Sequence, residues 1–361
     1  MMPQSSIANT EYANARVRAH RARLFATADY EAMLSAETLQ DVMNYLDQSK
    51  YREMLSIFSL QYKGARAVGY AASEYLVREY LFCYKYYPPK KAVSIEVLAG
   101  LLDIRDFMTV LRGKHAGVSE GEILENFRGP GLCIPRASLR NLAQQETLED
   151  VVATALALRV PFADALKEKT KSAAFVRTLS EVEINLDKAF YAWALKKLGS
   201  TRDVQASAKE YVLGRLDAQN VMTLVRFIVA RREMGDDFEI AEYYVPGGAA
   251  FPTLKAFIKA AQSQSIDELA GHIRVARYAR IVRNETVEIA LSHSLSSLYK
   301  ALFGACAERT ITQGKRDIGG VGVSIAYLLA LGNEAKNVRL IARAKSFGVG
   351  DDLLKKELIG V

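Results

Sequence analysis

The sequence predicts an all-α protein, on three observations. Good helix formers (Ala, Leu, Arg, Lys and Glu) dominate it, and only eight prolines occur in 361 residues. Apolar residues recur at helical spacing in its clearest segments. No alternating run of Val, Ile and Thr is long enough to supply a sheet.

Taken in chain order, the first clear element is Asn14–Phe25, "NARVRAHRARLF". Ala15, Ala19, Ala22 and Ala26 fall at spacings of four, three and four, a narrow stripe that lets another helix approach closely. Arg16, Arg18, Arg21 and Arg23 flank it, either as contacts for an acidic partner or as a solvated face with internal salt bridges. Further on, Tyr75, Tyr80, Tyr84, Tyr86 and Tyr87 interleave with Arg78 and Lys85. Such mixing suits single-stranded nucleic acid, but the apolar residues around the rings favour a core helix. Lys85–Lys91 and Thr312–Ser324 read as loops, rich in Pro or Gly.

One helical phrase then occurs three times: "DIRDFMTVLR" from Asp103, "DAQNVMTLVR" from Asp217 and "EAKNVRLIAR" from Glu334. Each begins with an acid, carries Asp106, Asn220 or Asn337 three residues later, and ends on Arg112, Arg226 or Arg343. The apolar stripe is Ile104, Phe107, Met108, Leu111 in the first and Ala218, Val221, Met222, Val225 in the second. In the third it is Ala335, Val338, Arg339, Ala342, with Arg339 as the polar departure. Each copy is an amphipathic helix with one buried side. After the first two copies come a Gly/Pro turn, a proline, a helix, then Thr147 or Ser265 opening another helix as N-cap residues. Val182–Leu186, "VEINL", is echoed by Val287–Leu291, "VEIAL".

The phrase returns after 114 and then 117 residues, counted from positions 103, 217 and 334. That is too long for a solenoid repeat and indicates three related helical domains. The expected division is 1–175, 176–282 and 283–361. Within each phrase the acid and the Asp/Asn share one side of the helix. They form a partner-binding row or they satisfy backbone groups that set the packing. Triplication favours the second, since each domain must fold. If Arg226 is structural, its loss lowers thermal stability.

Bulk properties set the remaining bounds. Half the residues are hydrophobic and a quarter charged, an ordinary globular balance. The net charge of +7 favours acidic partners, whether nucleic acid, anionic lipid or a protein surface, or simply serves solubility. Cys83, Cys133 and Cys306 are odd in number and far apart, which points to a reducing, cytoplasmic setting. The start of the chain lacks the apolar core of a signal peptide, and the longest apolar stretch, Val323–Leu331, is about half a membrane span. No crossing of a bilayer is expected.

Catalytic patterns are missing. "GARAVGYAA" from Gly64 has Tyr70 and Ala71 where a P-loop needs Lys and Ser/Thr, and "GGVGVS" from Gly319 lacks the last Gly of GxGxxG. His20, His115, His272 and His293 lie in no metal pattern, and GxSxG does not occur. The acidic pairs Asp236–Asp237 and Asp351–Asp352 follow glycines, as at helix starts. No catalytic residue, cofactor, metal or direct nucleotide site is expected.

Three segments carry a family resemblance: "YANARVRAHRARLF" (Tyr12–Phe25), "VEINLDKAFYAWAL" (Val182–Leu195) and "NEAKNVRLIARAKSFGV" (Asn333–Val349). In their order and spacing they resemble the C subunit of V/A-type rotary ATPases, whose eukaryotic counterpart is the d subunit. The resemblance implies three similar domains closing into a funnel-shaped, pseudo-threefold socket. It implies a non-catalytic adaptor, peripheral to the cytoplasmic face of the membrane. Its partners would be the central shaft subunits D and F and the proteolipid ring, with no nucleic acid. Torque would pass between them for ATP-driven ion transport or ion-driven ATP synthesis. Asp106 departs from the Asn of the other two copies. The alternative from composition is a basic all-helical nucleic-acid-binding protein, and an enzyme with an interdomain pocket has no constellation behind it.

Overall fold

A computed structural model describes residues 9–166, 179–199, 206–230, 239–292, 294–317, 319–350, 354–355 and 357–360. The expected boundary at 175, His293 and the pairs Asp236–Asp237 and Asp351–Asp352 lie outside the described residues. Among those described, the protein is all-α, with sixteen α-helices and no strand. The first eight are α1 (Thr10–Arg21), α2 (Thr27–Ser35), α3 (Leu39–Asp47), α4 (Arg52–Ser59), α5 (Ala65–Tyr86), α6 (Pro89–His115), α7 (Glu120–Glu125) and α8 (Arg136–Ala143). The rest are α9 (Leu148–Ala157), α10 (Leu179–Gly199), α11 (Ala206–Ala230), α12 (Leu254–Ala261), α13 (Ile266–His272), α14 (Ala276–Ser292), α15 (Ser296–Arg316) and α16 (Gly322–Phe347).

Local sequence fixes where these helices start. Thr147 Oγ1 accepts the Asp150 N–H at 3.1 Å, and Ser265 Oγ accepts the Glu268 N–H at 3.1 Å. Thr38 and Thr253 cap α3 and α12 in the same way. Each such cap is worth about 1 kcal/mol. Pro135 sits at the N-cap of α8 and Pro252 just before Thr253. The two expected loops are shorter than the sequence suggested. Helix α5 runs to Tyr86 and α6 starts at Pro89, because a proline in the first helical turn forfeits no hydrogen bond. Likewise α15 runs to Arg316 and α16 starts at Gly322.

The chain divides into two compact units, Met1–Ala99 with Glu308–Val361, and Gly100–Ala307. In the first, α5 and α16 form the most extensive helix pair, α4 lies on α5, and α1 packs on both α5 and α16. The pair is antiparallel: Arg339 Nη1 donates to Ser73 Oγ at 3.0 Å, while Ser324 lies beside Tyr87 at the other end. Arg339, the polar departure of the third phrase, is thus satisfied by α5. Val323–Leu331 is buried almost throughout, so its apolar run reflects a core helix. Among the described residues no helix is long and apolar enough to cross a membrane.

Helix α1 buries Ala13, Asn14 and Val17, not the alanine stripe; Ala15, Ala19, Ala22 and Ala26 are exposed. Polar anchors decide the choice of face. Asn14 donates to the Gly320 carbonyl at 3.1 Å and accepts from the Tyr87 hydroxyl. His20 on the same side pairs with buried Glu79 at 2.8 Å.

In the second unit α10 packs with α11, α8 with α9, and α11 with α12 and α13. Tyr278 on α14 donates to the Gly214 carbonyl at 2.9 Å. The "VEINL" echo does not mark equivalent environments. Val182 and Leu186 are buried in α10, whereas Val287 and Leu291 stand exposed on α14.

Candidate functional site: three polar clamps and the arginine positions

Each helical phrase holds a turn that follows it in the chain. In the first copy Asp103 and Asp106 are buried side by side on α6. Asp103 accepts the peptide N–H groups of Gly131 and Cys133 at 2.8 Å and of Ile134 at 3.2 Å. Asp106 accepts that of Arg128 on both oxygens, at 2.8 and 3.0 Å, and that of Gly129 on Oδ2 at 2.7 Å. The loop has no regular partners of its own, and the two carboxylates supply them. Burial pushes Asp103 up to about 6 and Asp106 up to about 7, against the N–H donors that pull both down. The charge on Asp103 adds to the rise at Asp106.

The second copy repeats the arrangement on α11. Asp217 accepts the Ala250 N–H at 2.8 Å. Asn220 brackets one residue with its carboxamide: Oδ1 accepts the Val245 N–H at 3.0 Å, and Nδ2 donates to the Val245 carbonyl at 2.8 Å. Burial raises Asp217 above the ordinary carboxylate range. Both turns place a glycine against the leading acid. A Cβ on Gly129 would stand 2.3 Å from Asp103 Oδ1, and one on Gly248 would stand 2.2 Å from Asp217 Oδ1. Glycine is required there because the carboxylate occupies the space of a side chain.

The third copy keeps half of the device. Asn337 on α16 brackets Ile359, accepting its N–H at 2.9 Å and donating to its carbonyl at 3.0 Å. Gly360 follows with φ +68°. The leading acid is Glu334, one methylene longer, and it turns to the N-terminal helices. Glu334 accepts from the Phe25 N–H at 2.7 Å and the Tyr51 hydroxyl at 2.6 Å, and pairs with Lys50 at 2.7 Å. Lys50 also donates to the Arg23 carbonyl at 2.6 Å and lies 4.3 Å from the Phe25 ring centre. Burial lowers the Lys50 pKa while Glu334 raises it. A buried ion pair repays its desolvation only with further hydrogen bonds, and here the Arg23 carbonyl, the Phe25 N–H and the Tyr51 hydroxyl supply them.

The arginines are dispersed. Arg112 is exposed and grips Glu183 of α10 with two nitrogens, at 2.5 and 2.7 Å. It thereby joins the first phrase to the "VEINL" segment. Arg226 and Arg343 are exposed on α11 and α16. Arg16 is half-buried, its guanidinium 4.7 Å from the Tyr86 ring centre and 4.9 Å from that of Phe82. Arg18 and Arg23 are exposed and Arg21 is half-buried. Among the tyrosines weighed for nucleic-acid stacking, Tyr75, Tyr80 and Tyr87 are buried, so those rings belong to the core.

Sequence reasoning passed over Lys50, Tyr51, Gly129 and Gly248. The glycines had a signal, since both lie in the Gly/Pro turn after a phrase. Lys50 and Tyr51 had none, because their partner is more than 280 residues away in the chain.

Comparison with known proteins bears on the whole chain. The family model for the ATP synthase (C/AC39) subunit matches residues 13–357. The C subunit of the A-type ATP synthase of Haloferax volcanii is 26% identical over 351 residues, which is 97% of this chain and 97% of that protein. Its counterpart in the A-type ATP synthase of Methanosarcina mazei is 25% identical over 353 residues, 97% and 93% of the two chains. That of Methanocaldococcus jannaschii is 23% identical over 352 residues, 97% and 86%. The comparisons give nothing to the nucleic-acid alternative.

Proposed function

We propose a function from one premise: the chain belongs to the ATP synthase (C/AC39) subunit family. It acts as the non-catalytic adaptor of a rotary ATPase. It receives the central shaft, subunits D and F, and seats on the cytoplasmic face of the proteolipid ring. Torque then passes through it, in ATP-driven ion transport or in ion-driven synthesis. The three-domain division at 175 and 282, and the socket those domains would form, belong to this proposal.

The observation that carries the reading is the repeated clamp. A part that transmits torque needs stiffness and no reactive group. Buried acceptors on three long helices each hold a distant stretch of backbone by charge-assisted or paired hydrogen bonds. Such bonds, satisfied and shielded from water, oppose local opening. Arg16, Arg18, Arg21, Arg23, Arg226 and Arg343 are the candidate contacts for acidic partner surfaces.

Affinity purification of the tagged chain from its native membranes tests the proposal. Subunits D and F and the proteolipid are expected among the co-purifying proteins. Recovery of nucleic acid or ribosomal proteins, with no ATPase subunit, would overturn it.

A further inference from the structure

Among the described residues, one end of the first unit carries bulky apolar side chains that stand exposed. Leu60 is 88% exposed, Phe347 78%, Ile57 46% and Val349 37%. Ile57 and Leu60 lie at the end of α4 and just past it, and Phe347 and Val349 at the end of α16 and just past it. The antiparallel α5–α16 pair brings these ends level. Arg339 lies 3.9 Å from where a Cβ on Gly69 would stand. From Arg339 to Phe347 the helix climbs about 12 Å. That carries Phe347 past the start of α5 at Ala65, to the height of the link at 60–64.

At this end the link before α5 is aromatic and basic and the end of α16 is basic, while the neighbouring α2–α3 link, whose flanking Leu34 and Leu39 meet Lys345 and Gly64, carries the exposed Glu37. Tyr62 stacks on Tyr70 at 4.1 Å between ring centres, and Phe58 stacks on Tyr70 at 5.4 Å. Arg66 covers Tyr62 at 5.0 Å. Between Gln61 and Tyr70 the only charged residues are Lys63 and Arg66. Between Arg339 and Gly350 they are Arg339, Arg343 and Lys345, before Asp351 and Asp352, which lie outside the described residues.

We propose that this end of the first unit inserts into the surface of an anionic phospholipid bilayer. Leu60, Phe347, Ile57 and Val349 enter the headgroup–acyl boundary, and Lys63, Arg66 and Arg343 meet the lipid phosphates. Three features select this occupant. The apolar residues project in two pairs from the ends of two separate helices, Ile57 with Leu60 and Phe347 with Val349, which suits a deformable partner. The charges on both described segments have one sign, complementary to anionic lipid. Tyrosines behind an apolar tip match the chemistry of a membrane interface. The inference takes its setting from the proposed membrane-side role and adds a direct lipid contact to it.

Flotation of the purified full chain with vesicles tests it without shaft or ring. Vesicles of phosphatidylcholine with phosphatidylglycerol are compared with phosphatidylcholine alone. Wild type is expected to float with the anionic vesicles, less so at high salt. The double variant Leu60→Ser/Phe347→Ser is expected to lose about tenfold or more in partitioning, given the apolar area withdrawn. Both sites are exposed, and unchanged thermal melting confirms the fold. The variant Lys63→Glu/Arg343→Glu should lose binding to the anionic vesicles. In a third variant, Leu60→Trp, the added emission should shift to the blue on vesicle addition. Failure of wild type to float, equal flotation of the Leu60/Phe347 variant, or equal binding to neutral vesicles would each overturn the proposal. If wild type fails to float yet captures subunits D and F, only the lipid contact falls. If it floats but captures no ATPase subunit, the adaptor proposal falls and the lipid contact stands.

Discussion

The clamps on α6 and α11 hold similar turns with different chemistry. On α11 the carboxamide of Asn220 accepts from and donates to one residue, Val245. On α6 the carboxylate of Asp106 meets two consecutive N–H groups, from Arg128 and Gly129. An amide offers one donor and one acceptor edge, whereas a carboxylate offers two acceptor edges. The side chain therefore matches what the turn presents: the N–H and C=O of a single residue in one case, a pair of consecutive N–H groups in the other. The third copy sides with the second, since Asn337 brackets Ile359. Triplication kept the place of the contact, and the local path of the backbone chose the functional group.

The largest expected effects attack what the two clamps share. Gly129→Ala drives a Cβ to within 2.3 Å of Asp103 Oδ1 and 2.8 Å of its Cα, so backbone must move. A loss of about 3–4 kcal/mol in denaturant unfolding is expected. Gly248→Ala meets mainly side-chain atoms, Asp217 Oδ1 at 2.2 Å and Leu216 Cδ2 at 2.8 Å, and should cost somewhat less. If both variants unfold like wild type, the acid–glycine fit is not what holds the turns.

Exchanging the two chemistries comes next. Asn220→Asp replaces the donor to the Val245 carbonyl with a buried oxygen, at an expected cost of about 2–3 kcal/mol at neutral pH. Part of that loss should return on acidification, because a protonated carboxyl donates again. The converse change, Asp106→Asn, turns an NH2 toward one of the two N–H donors but removes a buried charge. Its net effect should be smaller, about 1 kcal/mol.

That pair also sharpens the comparison through pH. Asp106 sits at about 7 and Asp103 at about 6 in the folded protein, against 3.8 ordinarily. Between 3.8 and these values the folded state binds more protons than the unfolded one. Stability therefore falls as pH rises through that window. Thermal melting should occur at a higher temperature near about pH 5.5 than near about pH 8, and Asp106→Asn should flatten the slope. A slope that Asp106→Asn leaves intact would place the pH dependence elsewhere, with Asp187, also raised to about 6 by burial, as the next candidate.

The smallest effects concern the arginine that closes each phrase. Arg112→Ala breaks a solvent-exposed two-point pair with Glu183 and should cost at most about 1 kcal/mol, less at high salt. Arg226→Ala should change stability by no more than about 0.5 kcal/mol, because the side chain is exposed. A larger loss at Arg226 than at Arg112 would reverse the distinction drawn between them.

Helical class, the three phrases, the capping residues and the turn–proline–helix order after two of the phrases were legible in the sequence. All are short-range signals, set by period, propensity and the hydrogen-bonding reach of a few residues. Two local signals misled. The alanine stripe of α1 has the right spacing for close packing, yet Asn14 and His20 turn the opposite face inward. The "VEINL" and "VEIAL" segments share letters, but one lies in a packed helix and the other on a surface.

By itself, then, the sequence determined that the chain is helical, that one helix is spelled three times, and that each spelling carries an acid and an Asp or Asn on one side. The tertiary structure alone decided what those side chains hold. Asp103 and Asp217 face the glycines of their own turns, while Glu334 reaches Phe25, Lys50 and Tyr51 from the far end of the chain. The physical reason is that periodicity fixes only the direction in which a side chain leaves its helix. Its partner is whatever backbone or charge the fold brings within hydrogen-bond distance, and for Glu334 that partner has no trace in the letters around it.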